Sequence, residues 1–155
     1  MESGFSINFL DFLGLFLFLA GFVIGLGAVT VIDLHGFLGR KSAYWTEATT
    51  RTHKVTKPLI WLGIFLAIVG GILFYRAESL SGIPLAHAII AFILILNGIF
   101  LSFRVSPFLL KREKEGRSAE LLPASWQRKI FLSFVVSDMG WWLGLLLLVY
   151  YLVSR

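Results

Sequence analysis

At 155 residues the chain is one domain's worth of sequence, with a hydrophobic fraction of 57% and only 15% charged residues. That balance, with a mean hydropathy of +0.84, exceeds what a soluble globular chain carries, and the apolar runs leave no stretch long enough for a soluble catalytic domain. The net charge of +5 is gathered in two segments and the chain has no cysteine. This argues against nucleic-acid binding and excludes disulfides, thiolate metal ligands and cysteine nucleophiles.

Four apolar stretches approach or exceed the roughly 20 residues that a helix needs to cross hydrocarbon. They fall at about residues 9–38, 57–75, 84–103 and 128–153. The predicted fold is an all-α integral membrane four-helix bundle, up-down-up-down, forming a single transmembrane domain over residues 1–155. The first span lacks the basic leader of a signal peptide and is expected to be retained.

Span one is longer than one crossing requires, which predicts tilt or extension beyond the hydrocarbon. Gly21, Gly25 and Ala28 offer a close-packing stripe along it. Asp33 lies about 10 Å inside the membrane edge if Arg40 and Lys41 set that edge, and is interfacial if the edge is at Ile32. Thr30 and His35 flank it.

Residues 40–57 carry five basic side chains against Glu47 alone. A helix beginning near Ser42 would extend span two and make Glu47 and Arg51 an i,i+4 pair. Pro58 marks either a kink at the membrane edge or the first turn of the span. Trp61 is expected at the interface, and Gly63, Ala67 and Gly71 form a second small-residue stripe. The short link to span three predicts antiparallel neighbours. That span carries His87 near its outer end and Asn97 inside.

Residues 104–129 hold seven basic residues against three glutamates, with charges alternating in sign. A surface helix and a loop are both consistent with that pattern. Twelve of the fourteen basic residues thus lie in the first and third loops. By the positive-inside pattern, loops 39–56 and 104–127 are cytoplasmic and both termini lie on the non-cytoplasmic side. Ser125 is a candidate N-cap for span four, which carries Ser133, Ser137, Gly140 and Gly144 on one face and Asp138 beside it.

Asp138 is the sharpest polar signal. It lies about ten residues, or roughly 15 Å, from Lys129. An intramembrane carboxyl costs a few kcal/mol or more, about 2.5–3.5 on insertion scales, and is a functional candidate by default. It could equally join helices through Asn97 or a serine. Asp33, Thr30 and Asn97 could converge with it to bind a cation or relay a proton. Pairing of Asp33 with Arg40, Arg104 or a loop lysine is the competing reading.

His35 and His53 fall at similar depths on different helices. That is the minimum arrangement for a b-type haem or a metal site, though no cofactor is the first expectation. His87 belongs to the outer half, out of reach of the other two, and is expected to be an interface residue. Phosphate-binding glycine loops, serine-hydrolase elbows and zinc-protease motifs are all missing from the sequence, so an enzyme is not the leading reading. A lipid-directed enzyme would need Glu47 or His53 as base.

Several short motifs carry a resemblance. They are G-A-V-T-V-I-D at 27–33, P-L-I-W-L-G at 58–63, I-L-N-G-I-F-L at 95–101 followed by Pro107, and S-D-M-G-W-W at 137–142. This pattern resembles a group of small four-span bacterial membrane proteins of unassigned activity, loosely similar to copper-resistance D-type membrane proteins. The resemblance implies a four-helix bundle in a prokaryotic cytoplasmic membrane, with Asp33 and Asn97 as its polar signature. Copper handling would call for methionine, histidine or cysteine ligands within the membrane, and Met1 and Met139 are the only methionines. The expected function is proton or small-cation handling, or service as an accessory subunit. The expected partners are the lipid bilayer and either a homo-oligomer or a larger membrane complex.

Overall fold

The computed structural model describes residues 8–154, so Met1 and Glu2 lie outside the described residues. Its elements in chain order are α1 (Phe9–Gly39), α2 (Ala43–Phe74), α3 (Gly82–Phe100), a π-helical turn (Leu101–Val105), α4 (Ser106–Lys114) and α5 (Ala124–Val153). No strand occurs among the described residues. Through the π turn, α3 and α4 continue as one helix over Gly82–Lys114.

All four long helices are long and apolar enough to cross a membrane. At 1.5 Å per residue, the 31 residues of α1 reach about 46 Å, more than the roughly 30 Å of a hydrocarbon core. The helices are apolar around most of their circumference, as expected of helices whose outer faces meet lipid. Val23 is 74% exposed and Phe92 61%. A soluble monomer rarely presents apolar surface on that scale.

Glycine decides which helices touch. Along α1 and α2, a Cβ built on Gly21 would lie 2.5 Å from the Ala67 nitrogen, and one on Gly63 would lie 2.6 Å from Gly25 Cα. Gly14 meets Leu73 and Phe74, and Gly70 meets the Phe18 backbone. The register of these contacts makes α1 and α2 an antiparallel hairpin packed backbone to backbone, the most intimate pair in the molecule. Of the stripe predicted on α2, Gly63 and Ala67 meet α1 as expected, and the third member is displaced by one residue. Gly70 takes the backbone contact, while Gly71 meets only the Phe18 ring at 3.6 Å.

The hairpin turn occupies residues 40–42. Ser42 caps α2 by accepting from the Trp45 N–H, and the Thr46 hydroxyl donates to the Gly39 carbonyl at 2.7 Å. The expected early start of α2 at Ser42 is therefore observed. Pro58 sits well inside the helix and is neither its first residue nor its end.

α5 packs on α3 and α1. Trp141, 1% exposed, fills the space above Gly25 and meets the Phe22 ring edge-on at 5.8 Å. On α3, Leu94 fits against Gly140. α5 begins at Ala124 after Pro123, so Ser125 is inside the first turn and is not the N-cap.

The third loop resolves into α4 and an ordered turn. Arg112 is 6% exposed, and its guanidinium donates to the carbonyls of Glu120 at 2.9 Å, Arg117 at 3.3 Å and Leu121 at 3.4 Å. One buried cation thus gathers three carbonyls of the turn, of which that of Arg117 also accepts from the Glu120 N–H at 3.2 Å. Phe108 and Trp126 stack at 4.0 Å, and Lys54 of α2 bonds Glu113 of α4 at 2.8 Å. These contacts tie α4 to α5 and to α2.

Candidate functional site

The basic end of the bundle encloses a cavity of about 100 Å³. α1 contributes Asp33, the hairpin turn contributes Arg40, α2 contributes Thr49, His53 and Lys57, and α5 contributes Gln127. The π turn supplies Leu101, Ser102 and Val105 to the wall. A π turn rotates the residues beyond it out of α-helical register, and such turns recur at functional sites. Here it brings Ser102 toward α2, where its hydroxyl accepts from Trp61 Nε1 at 3.1 Å. Trp61, expected at the lipid interface, is turned inward against this wall.

Two polar atoms in the cavity have no partner. Asp33 Oδ2 and His53 Nε2 are both buried without a hydrogen bond. Asp33 makes no ion pair among the described residues, although Arg40 and Lys57 line the same space. Arg40 is instead placed over the Phe131 ring at 5.1 Å. Buried polar groups are nearly always paired. The cavity thus brings together one carboxyl oxygen and one imidazole nitrogen that have no partner among the described residues.

Asp138 lies close enough to Asp33 for their charges to repel. No hydrogen bond or ion pair joins Asp138 to another described side chain. Asn97 is taken up elsewhere. Its amide donates to the Ser133 carbonyl at 2.9 Å and accepts from the Ser133 hydroxyl at 2.5 Å, which clamps α3 to α5. Thr30 is exposed and donates to its own helix at the Leu26 carbonyl, 2.8 Å away. Of the polar residues singled out in the sequence, the structure therefore draws Asp33 and His53 to one cavity, leaves Asp138 outside its lining, and gives Asn97 and Thr30 local partners.

His35 bonds Thr52 Oγ1 at 3.1 Å and packs on Trp45, and it is not among the residues lining the cavity. No group of three or more histidine, aspartate or glutamate side chains that could hold a metal ion occurs among the described residues.

Three features escaped the sequence reading. The π turn has no composition signal. Lys57 entered only in the count of basic residues in the first loop, and Gln127 was not singled out. His87, expected near the lipid interface, is 8% exposed and bonded on both ring nitrogens, to Tyr75 and to the Gly144 carbonyl. Compared with family models, curated proteins and solved structures, the chain matches none.

Proposed function

We propose that this integral membrane protein handles protons through Asp33, with His53 and Asp138 as its neighbours in the exchange. The observation that carries the reading is the pair of orphaned atoms, Asp33 Oδ2 and His53 Nε2, in one cavity. A cavity of about 100 Å³ with a carboxyl and an imidazole on its wall is roomy and polar enough to hold water. Water there would bridge an acid on α1 to an imidazole on α2, the arrangement of a proton relay.

A metal cation fits the lining less well, because Arg40 and Lys57 share the cavity with the one carboxyl. Asp138 adds a second carboxyl whose charge Asp33 feels. A proton shared within that group relieves the repulsion between them.

The basic residues gather at the cavity end of the bundle. In the reading proposed here, loops 39–56 and 104–127 face the cytoplasm and the cavity opens toward it. The termini then lie on the opposite side of a prokaryotic cytoplasmic membrane.

Infrared difference spectroscopy between acid and alkaline pH tests the assignment. The expected result is a carboxyl C=O band that titrates in the native chain and is missing from Asp33→Asn. A difference spectrum in Asp33→Asn identical to that of the native chain removes the proposal.

A further inference from the structure

A larger cavity, of about 390 Å³, lies at the end opposite the basic one, between α2, the 75–81 link and α3, with Phe18, Tyr75, His87 and Glu78 on its wall. The smaller cavity at the basic end is the one that holds unmatched cations. Arg40 and Lys57 both line it, and neither side chain makes a hydrogen bond or an ion pair to a described residue.

This cavity is open sideways. Phe37 of α1 and Phe131 of α5 line it, yet they are 54% and 40% exposed, so the slot between the two helices reaches the surface that faces lipid. Ile32 of α1 and Phe134 of α5 continue its apolar wall toward the bilayer centre. Arg40 stands at the head of the slot. Its guanidinium carbon lies 5.9 Å from the centre of the Phe37 ring and 5.1 Å from that of Phe131. These contacts hold the cation in place and give its N–H donors no oxygen acceptor.

A phosphate suits that fork of donors, because it takes two of them side by side. The depth is right for one. The 31 residues of α1 reach about 46 Å, close to the roughly 40–45 Å of a bilayer with its headgroups, so the end at Arg40 falls at the level of lipid phosphates. Asp33 is two turns deeper on α1, about 10 Å along the axis, and its carboxyl does not compete for Arg40.

We propose that the slot between α1 and α5 binds an anionic phospholipid, with the phosphate on Arg40 and an acyl chain against Phe37, Phe131 and Phe134. Lys57 adds a second positive charge to the same space. A free phosphate would leave the apolar wall unused. An acidic peptide would bring backbone polar groups against that wall without partners. A zwitterionic lipid carries an ammonium that both cations repel. The inference does not require Asp33 to titrate, so it stands or falls separately from the proton reading.

Native mass spectrometry of the full chain in dodecyl maltoside counts bound lipids during titration with dioleoylphosphatidylglycerol. The expected result is one phosphatidylglycerol that binds saturably, about tenfold or more tighter than dioleoylphosphatidylcholine. Arg40→Gln should weaken that first lipid by about tenfold or more. Arg40→Lys keeps the charge at the membrane edge and should still weaken it by about threefold or more, because the paired donors are lost. Lys114→Gln removes an exposed charge outside the cavity lining and should bind within about twofold of the native chain. Excess glycerol 3-phosphate, a headgroup phosphate without chains, should displace nothing. Helical circular dichroism and monodisperse elution confirm that each variant is folded.

Affinity that is unchanged in folded Arg40→Gln, or that falls equally in Lys114→Gln, overturns the proposal. So does equal binding of phosphatidylcholine. Displacement by glycerol 3-phosphate would assign the site to a free phosphate and overturn it as well.

Discussion

Asn97 and Ser133 show how a polar side chain inside an apolar bundle finds a local partner. The Ser133 hydroxyl donates to the amide oxygen, and the Ser133 carbonyl accepts from one of the amide's two N–H donors. Interhelical bonds of this kind contribute about 0.6 kcal/mol on average and up to about 1.7. Asn97→Ala should therefore lower stability by about 1 kcal/mol in a detergent unfolding titration, with the carboxyl band of Asp33 left in place. Asp33 is the contrasting residue, because burial leaves its Oδ2 without any donor. The sequence nominated Asp33, Asp138 and Asn97 together as polar residues in apolar runs. Their separation into a clamp at Asn97 and carboxyls without such a clamp depends on side-chain direction, which residue type does not encode. His87 was misplaced for the same reason: hydropathy gives its depth, while the inward rotation that buries it is set by α3 packing on α5.

At the level of the helix, close approach is written in glycine and is largely legible. Gly21, Gly25, Gly63, Gly140 and Gly144 all lie at contacts that a side chain would obstruct. The exchange of Gly71 for Gly70 reflects the rotation of α2 about its axis, a shift that spacing alone does not fix. Gly70→Ala would drive a Cβ into the Phe18 backbone and force the hairpin apart. Overpacking of this kind typically costs about 1–3 kcal/mol, and the unfolding midpoint should fall accordingly. At Gly27 and Gly36 an added Cβ would meet nothing within 4 Å. Their alanine variants should be as stable as the native chain, which separates close packing from glycine content.

The turn at residues 115–123 depends on another single residue. Arg112 donates to three of its carbonyls. Its burial was not legible, because it sits in a run of charges that reads as a solvated face. Arg112→Ala should loosen the turn and speed tryptic cleavage after Lys114 and Arg117. Unchanged cleavage kinetics would show that the guanidinium does not hold it.

Across the whole molecule, hydropathy and loop charge were enough to anticipate four long apolar helices and their approximate limits, since lipid imposes length and apolarity on any crossing segment. The two cavities were not legible, because each is assembled from three or more elements distant in sequence. They differ in chemistry as well as position. One is small, lies at the basic end and holds an unpaired acid and imidazole. The other is larger and aromatic, with a carboxyl on its wall. The proton reading places the first of them in a path for charge, and its loss should be felt in transport and not in folding.

Proton flux is the most direct measurement of that claim. The native chain and Asp33→Asn would be reconstituted into liposomes containing a pH-sensitive dye, with a potassium gradient and valinomycin setting the potential. The account predicts potential-driven acidification or alkalinisation with the native chain, and flux at the level of empty liposomes with Asp33→Asn at equal incorporation. Equal flux from both chains, or none from the native one, would contradict it.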